Sequence, residues 1–147
     1  MDDRSTPEAR KIVLKQDENG MWGRFHTLSL PISGKPLSSE QALRRLQALG
    51  FTMDDPPIQR AVFFMERCLK KEAQMPDHRE KLLDWDVFTE LMLSCWIRRF
   101  TTGVEVADKI AQKWGNIVVA GFERGPAYDL DRAVAAYDLA YPGHERG

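Results

Sequence analysis

Apolar residues recur along this chain at intervals of three and four, which is the spacing of one face of an α-helix. The pattern predicts six amphipathic helices, in the stretches 5–16, 38–50, 54–71, 84–100, 102–125 and 129–137. No stretch is a convincing strand, because none combines the alternation and residue types of a half-buried strand. The sequence therefore predicts an all-α fold of about six helices.

Capping residues and breakers support these helix boundaries. Ser38 and Gln41 match a capping box at the start of the second helix, and Thr102 with Glu105 repeats the pattern at the fifth. The stretch 17–37 contains three glycines and two prolines, so it is expected to be a long loop rather than a helix.

The predicted helices also show internal repetition. At an offset of 49 residues, the second and third helices align with the fourth and fifth, and Phe51-Thr52 aligns with Phe100-Thr101. Two amphipathic helices in phase would align in this way without common descent. The pattern predicts stacked helical hairpins of ~50 residues in a single domain over 1–147, with a flexible tail at 142–147.

Composition narrows the classes of function. The chain has 147 residues, is 43% hydrophobic, and balances 21 basic against 22 acidic residues. A net charge of -1 argues against a nucleic-acid-binding protein. The start lacks the apolar core of a signal peptide, and no apolar run approaches the ~20 residues of a membrane span, so a soluble cytoplasmic protein is expected.

The first helix ends in the most specific motif of the chain, Gln16, three residues, Gly20, one residue, and Trp22. This motif resembles the repeat signature of terpene cyclases such as squalene–hopene cyclase, whose α/α-toroid fold is shared with protein prenyltransferases. The resemblance extends over about residues 5–125 and implies a partial toroid. It also implies that Gln16 bonds backbone near the helix end or in the following loop, and that Trp22 is largely buried beneath that loop.

The catalytic motifs of those families match this chain only in part. The cyclases use an Asp-x-Asp-Asp motif as proton donor, and here Asp84, Trp85 and Asp86 are followed by Val87. The resemblance makes these three residues candidates for a ligand site. The other interpretation is that Asp84 or Asp86 caps the fourth helix, where a carboxylate meets the positive helix end.

The sequence gives little support for a metal site or a cofactor site. The prenyltransferases hold zinc with an aspartate, a cysteine two residues later, and a histidine, and neither cysteine here has that aspartate. Cys68 and Cys95 fall on apolar helix faces, where a core role is expected. No metal ligands, cofactor or catalytic residues are predicted.

The long loop contains a second candidate site. Trp22, Arg24, Phe25 and His26 combine stacking surface, a fixed positive charge and a titratable ring, which could line a ligand or partner site. The same residues could instead pack over the core and leave Arg24 and His26 in water.

Two classes of function remain open. The first is a non-catalytic helical module that binds a protein partner, a second copy of itself or a small apolar molecule. The second is an enzyme or enzyme subunit of isoprenoid chemistry, which would need oligomerisation or a partner because the chain is too short to close a toroid. An apolar cleft with Asp84 and Asp86 at its mouth would favour the second class.

Overall fold

The computed structural model describes residues 3–79 and 84–144. Six α-helices lie in this part of the chain: α1 Pro7–Leu14, α2 Ser39–Ala48, α3 Pro56–Leu69, α4 Trp85–Phe100, α5 Glu105–Ala120 and α6 Leu130–Ala140. The same residues contain no β-strand, and a single bridge joins Ile32 to Lys35. The predicted all-α fold is therefore confirmed.

The chain groups into two compact units, residues 1–78 (unit 1) and 79–147 (unit 2). In unit 1, α1 packs against α2, and in unit 2, α5 packs against both α4 and α6. Within the described residues α4 and α5 form a close pair, whereas α2 and α3 do not. The predicted likeness of these two hairpins therefore does not extend to their packing. The single domain and the toroid stay predictions.

The predicted capping box of α2 is confirmed, and that of α5 is wrong. The Ser38 side chain accepts a hydrogen bond from the Gln41 backbone N–H at 3.2 Å, and the Gln41 side chain accepts one from Ser38 at 3.1 Å. Helix α5 begins only at Glu105 and has no side-chain cap. The reason is Gly103, whose φ of 93° interrupts the helix after Thr102.

Burial in α4 differs from the prediction at Cys95, and the apolar residues of the long loop are divided between buried and exposed positions. Cys95 was expected on the buried face of α4, but it is exposed, whereas Leu93 and Ile97 are buried. Helix α4 is apolar nearly all round, so its periodicity did not identify the buried stripe. In the loop, Phe25 is buried as a cover for the core, but Leu28 and Leu30 are exposed.

Each unit has its own apolar packing. In unit 1 the largest fully buried side chains come from the loop, α2 and α3: Met21, Trp22, Phe25, Leu43, Leu46, Ile58 and Met65. In unit 2 a buried cluster joins the three helices and the residue after α6: Val87, Ile117 and Tyr141, with Trp114 and Tyr137 packed against it. The second cluster forms the base of the site described next.

Candidate functional site

Gln16 lies at the centre of a hydrogen-bond cluster in unit 1. Its side-chain amide donates to the carbonyls of Gly20 and Pro57, both at 2.9 Å, and its carbonyl accepts from Arg60 at 2.6 Å. The bond to Gly20 confirms the predicted contact with the loop after α1. Gln16 therefore ties the end of α1 to the start of α3.

Gly20 and Trp22 complete the cluster. Gly20 has a φ of 95°, and a Cβ at this position would lie 2.6 Å from the Arg60 carbonyl oxygen. Trp22 is 1% exposed, and its indole N–H donates to the Ile12 carbonyl at 2.7 Å. The predicted burial of Trp22 is confirmed. In this conformation its ring is part of the core of unit 1.

The loop residues Phe25 and His26 are held by a carboxylate whose role the sequence did not reveal. Asp77 accepts hydrogen bonds from the backbone N–H groups of Phe25 at 2.6 Å and His26 at 2.9 Å, and from the Ser29 hydroxyl at 2.6 Å. Phe25 is fully buried and Arg24 and His26 are partly exposed, so this segment packs on unit 1.

Arg24 reinforces the same attachment. Its guanidinium donates to the Pro76 carbonyl, and another of its nitrogens lies 3.0 Å from Nε2 of His78. Residues 76–78 therefore form a strap across the start of the loop. These contacts support the interpretation of the loop as a packed element.

Asp84, Trp85 and Asp86 have different environments at the start of α4. Asp84 accepts a hydrogen bond from the Val87 backbone N–H at 3.1 Å, so the prediction that an aspartate caps this helix is confirmed. Trp85 is buried, with its ring 5.8 Å from that of Phe88. Asp86 pairs with Arg79 at 2.9 Å and is half exposed.

The segment after α6 reaches Asp84. Nδ1 of His144 lies 2.6 Å from a carboxylate oxygen of Asp84. Residues 142–147 were expected to be a flexible tail, but His144 is held by this contact with Asp84 and by an edge contact with the Tyr141 ring. Residues 145–147 lie outside the described part of the chain.

An apolar cleft of about 340 Å³ opens between α4, α5 and α6 in unit 2. Four aromatic rings line it: Phe88, Trp114, Tyr128 and Tyr137. Among the described residues, the remaining lining is aliphatic except for Asp84, which is charged. Asp86 does not line it. The cleft has the volume of a small-molecule site, which is roughly 300–1,000 Å³.

A polar network beside the cleft joins its helices. Glu90 accepts hydrogen bonds from the Tyr141 hydroxyl at 3.1 Å and from the Lys113 ammonium at 3.2 Å. Burial, and then the Glu90 carboxylate, raise the pKa of Tyr141 well above its ordinary value. The hydroxyl therefore stays protonated and keeps donating to Glu90 at neutral pH.

Other candidate chemistry is sparse. Burial raises the pKa of the Cys68 thiol to about 11, so it is not a ready nucleophile. Arg98 pairs with Asp108. The guanidinium carbon of Arg99 lies 4.6 Å from the centroid of the Trp96 ring. Within 3–79 and 84–144, no three histidine, cysteine or acidic side chains are grouped as metal ligands.

Some of the residues that line the cleft could be identified from the sequence, and others could not. Asp84 was a candidate residue, and Trp114 and Tyr137 lie within the predicted helices 102–125 and 129–137. Tyr128 lies in the turn between α5 and α6, where helical periodicity gives no signal. The role of His144 depends on a contact between residues 60 positions apart.

No helix in the described part of the chain is long and apolar enough to cross a membrane. No family model, curated protein or solved structure matches the chain at a significant level.

Proposed function

We propose that the protein is a non-catalytic binding module whose unit 2 holds a small apolar molecule in the cleft between α4, α5 and α6. The observation that carries this proposal is the cleft of about 340 Å³ with its four aromatic rings. Pockets for small molecules are concave and mostly apolar, with a few polar groups that orient the ligand. Asp84 is such a group here.

The walls of the cleft support a preformed site. Trp114 packs with its ring centroid 5.8 Å from that of Tyr137 and 5.7 Å from that of Tyr141. The hydrogen bonds of Glu90 hold Tyr141 and Lys113 in place. A ligand would therefore enter a cleft whose base is already packed, with little ordering of side chains on binding.

A test with a neutral probe addresses this function directly. Adamantanol is a compact apolar alcohol that fits the cleft volume, and its binding is measured by isothermal titration calorimetry. We expect saturable binding that Val134→Phe weakens about tenfold, because the new ring fills the cleft that Val134 lines. Ala135→Phe is the matched control, since Ala135 is exposed on the same helix.

Circular dichroism would establish that both variants keep their helices. Absence of saturable binding to the wild-type protein would overturn the proposal. Equal weakening by Val134→Phe and Ala135→Phe would do the same, because binding would then not depend on the cleft.

The alternative function is isoprenoid chemistry with Asp84 as proton donor. An apolar cleft with Asp84 in its lining favours it. The contacts of Asp84 oppose it, because the Val87 N–H and Nδ1 of His144 each lie against one of its two carboxylate oxygens. Incubation with squalene tests this function, and a cyclised hydrocarbon product that Asp84→Asn abolishes would establish it.

We further propose that unit 1 is related to the hairpins of α/α toroids and that the protein acts as a homodimer or with a protein partner. The cluster of Gln16, Gly20 and Trp22 supports the first point, because Gln16 bonds the carbonyl of Gly20 in the loop after α1 and Trp22 is buried. Exposed apolar side chains at the end of α5, Val118, Val119 and Phe122, support the second.

A further inference from the structure

A carboxylate lies in the lining of the cleft of unit 2. Asp84 is the one charged residue among the described residues that line it, and its side chain is 14% exposed. A carboxylate offers about four acceptor sites in total. The Val87 N–H and His144 each bond to it in the structure. A ligand cation would pair with the same carboxylate, beside or in place of these partners.

The aromatic lining favours the same sign of ligand charge. The faces of tryptophan, tyrosine and phenylalanine rings attract cations within about 6 Å of the ring centroid. The adjoining cluster already binds one ammonium in this way, because Nζ of Lys113 lies 4.3 Å from the centroid of the Tyr141 ring. Tyr141 in turn packs against Trp114 and Tyr137, two rings of the cleft lining.

We infer that the cleft binds an apolar cation, an ammonium compound with a compact hydrocarbon body. The hydrocarbon body contacts the aliphatic and aromatic walls, and the ammonium group lies near the Asp84 carboxylate and the surrounding ring faces. A carboxylate or phosphate on the ligand would be repelled by Asp84. This inference rests on the proposed function, since it names the class of molecule that the proposed site takes.

Three probes with the same adamantane body separate charge from shape: adamantylammonium, adamantanol and adamantanecarboxylate. By calorimetry at pH 7 and moderate salt, we expect the ammonium to bind about tenfold more tightly than the alcohol, and the carboxylate most weakly. Asp84→Asn should reduce ammonium binding about tenfold and leave alcohol binding nearly unchanged. Asparagine also caps helices, so the variant retains the start of α4.

Asp131→Asn is the matched control, because it removes one negative charge from an exposed position on α6 outside the cleft lining. It should change the binding of the ammonium probe little. The comparison of the three probes on the wild-type protein needs no variant, so it tests the inference even if Asp84→Asn fails to fold.

Equal binding of the ammonium and the alcohol would overturn the inference and leave the proposed function intact. Equal losses in Asp84→Asn and Asp131→Asn would also overturn it, since the effect would then come from net charge. If no probe binds, the proposed function fails together with the inference.

Discussion

The indole N–H of Trp22 donates a hydrogen bond to the backbone carbonyl of Ile12, 2.7 Å away, inside the core of unit 1. This carbonyl lies in the last turn of α1 and also accepts a hydrogen bond from the Lys15 backbone N–H at 3.1 Å. Trp22 therefore supplies apolar volume to the core and a second hydrogen bond to the end of the first helix.

Replacement of Trp22 by alanine should lower the free energy of unfolding by about 3–5 kcal/mol, because it leaves a cavity and removes a buried hydrogen bond. Urea titration followed by circular dichroism measures this change. Phe63→Ala is a suitable control, since Phe63 is 62% exposed and should change stability little. An unchanged unfolding midpoint for Trp22→Ala would show that the motif match is accidental.

Gly20 and Gly50 form a matched pair for testing the close approach at Gly20. Both have positive φ values, 95° and 91°, but a Cβ at Gly20 would meet the Arg60 backbone, whereas one at Gly50 would meet open space. Gly50→Ala should cost about 1 kcal/mol from backbone strain alone. Gly20→Ala should cost about 1–3 kcal/mol more. Equal costs, measured by chemical denaturation, would contradict the close contact with Arg60.

Asp77→Ala should release the loop segment that contains Phe25 and His26. The variant leaves three donors without their acceptor, and we expect a loss of about 1–3 kcal/mol in stability. Hydrogen exchange at the backbone of Phe25 and His26 should become faster than in the wild type. Asp54→Ala removes an exposed carboxylate in unit 1 and serves as the control. Unaltered exchange in Asp77→Ala would rule out the strap.

The two cysteines should differ in their reactivity with iodoacetamide. Cys95 is exposed, whereas Cys68 is buried with its pKa raised to about 11. At pH 8, mass spectrometry of the native protein should show rapid modification of Cys95 and slow modification of Cys68, and both should react in denaturant. Similar native rates would contradict the burial of Cys68.

The raised pKa of Cys68 also predicts how the stability of the protein changes at alkaline pH. The folded pKa of Cys68 lies above its ordinary value of 9.0, so the folded state holds this proton more tightly than the unfolded state. Its stabilising contribution is fully present below pH 9 and is lost as the pH rises towards 11. Cys68→Ala should remove this part of the pH dependence of the unfolding free energy.

Association of the protein is tested by sedimentation at micromolar concentration. We expect a species heavier than the 16.9 kDa chain, and Val119→Lys should shift it towards the monomer, because Val119 is exposed among apolar neighbours on α5. Leu14→Lys in unit 1 is the control. A wild-type monomer would reject the homodimer.

Local features of the fold could be predicted from the sequence because they depend on neighbours in the chain. The capping box of Ser38 and Gln41 spans three residues, and Gln16 lies four residues from Gly20. The spacing of such contacts along the chain is set by local helix and turn geometry, so it does not depend on long-range packing.

The parts that could not be predicted depend on long-range contacts. The bond of Asp77 to Phe25 joins residues 52 positions apart, and that of Asp84 to His144 joins residues 60 apart. The sequence around Asp77 and around His144 gives no sign of these contacts. An aspartate in a polar linker and a histidine near a chain end usually face water. The cleft itself arises from how three helices pack, which periodicity alone does not define.

The side chain of Gln16 also has a consequence for the kinetics of folding. Its bond to Pro57 closes a loop of 41 residues, and closing a chain of that length costs about 3 kcal/mol in conformational entropy. Contacts of this kind are expected to form late, after the loop and α3 have taken their places. We therefore expect the amide of Gln16 to govern how long unit 1 stays folded rather than how fast it folds.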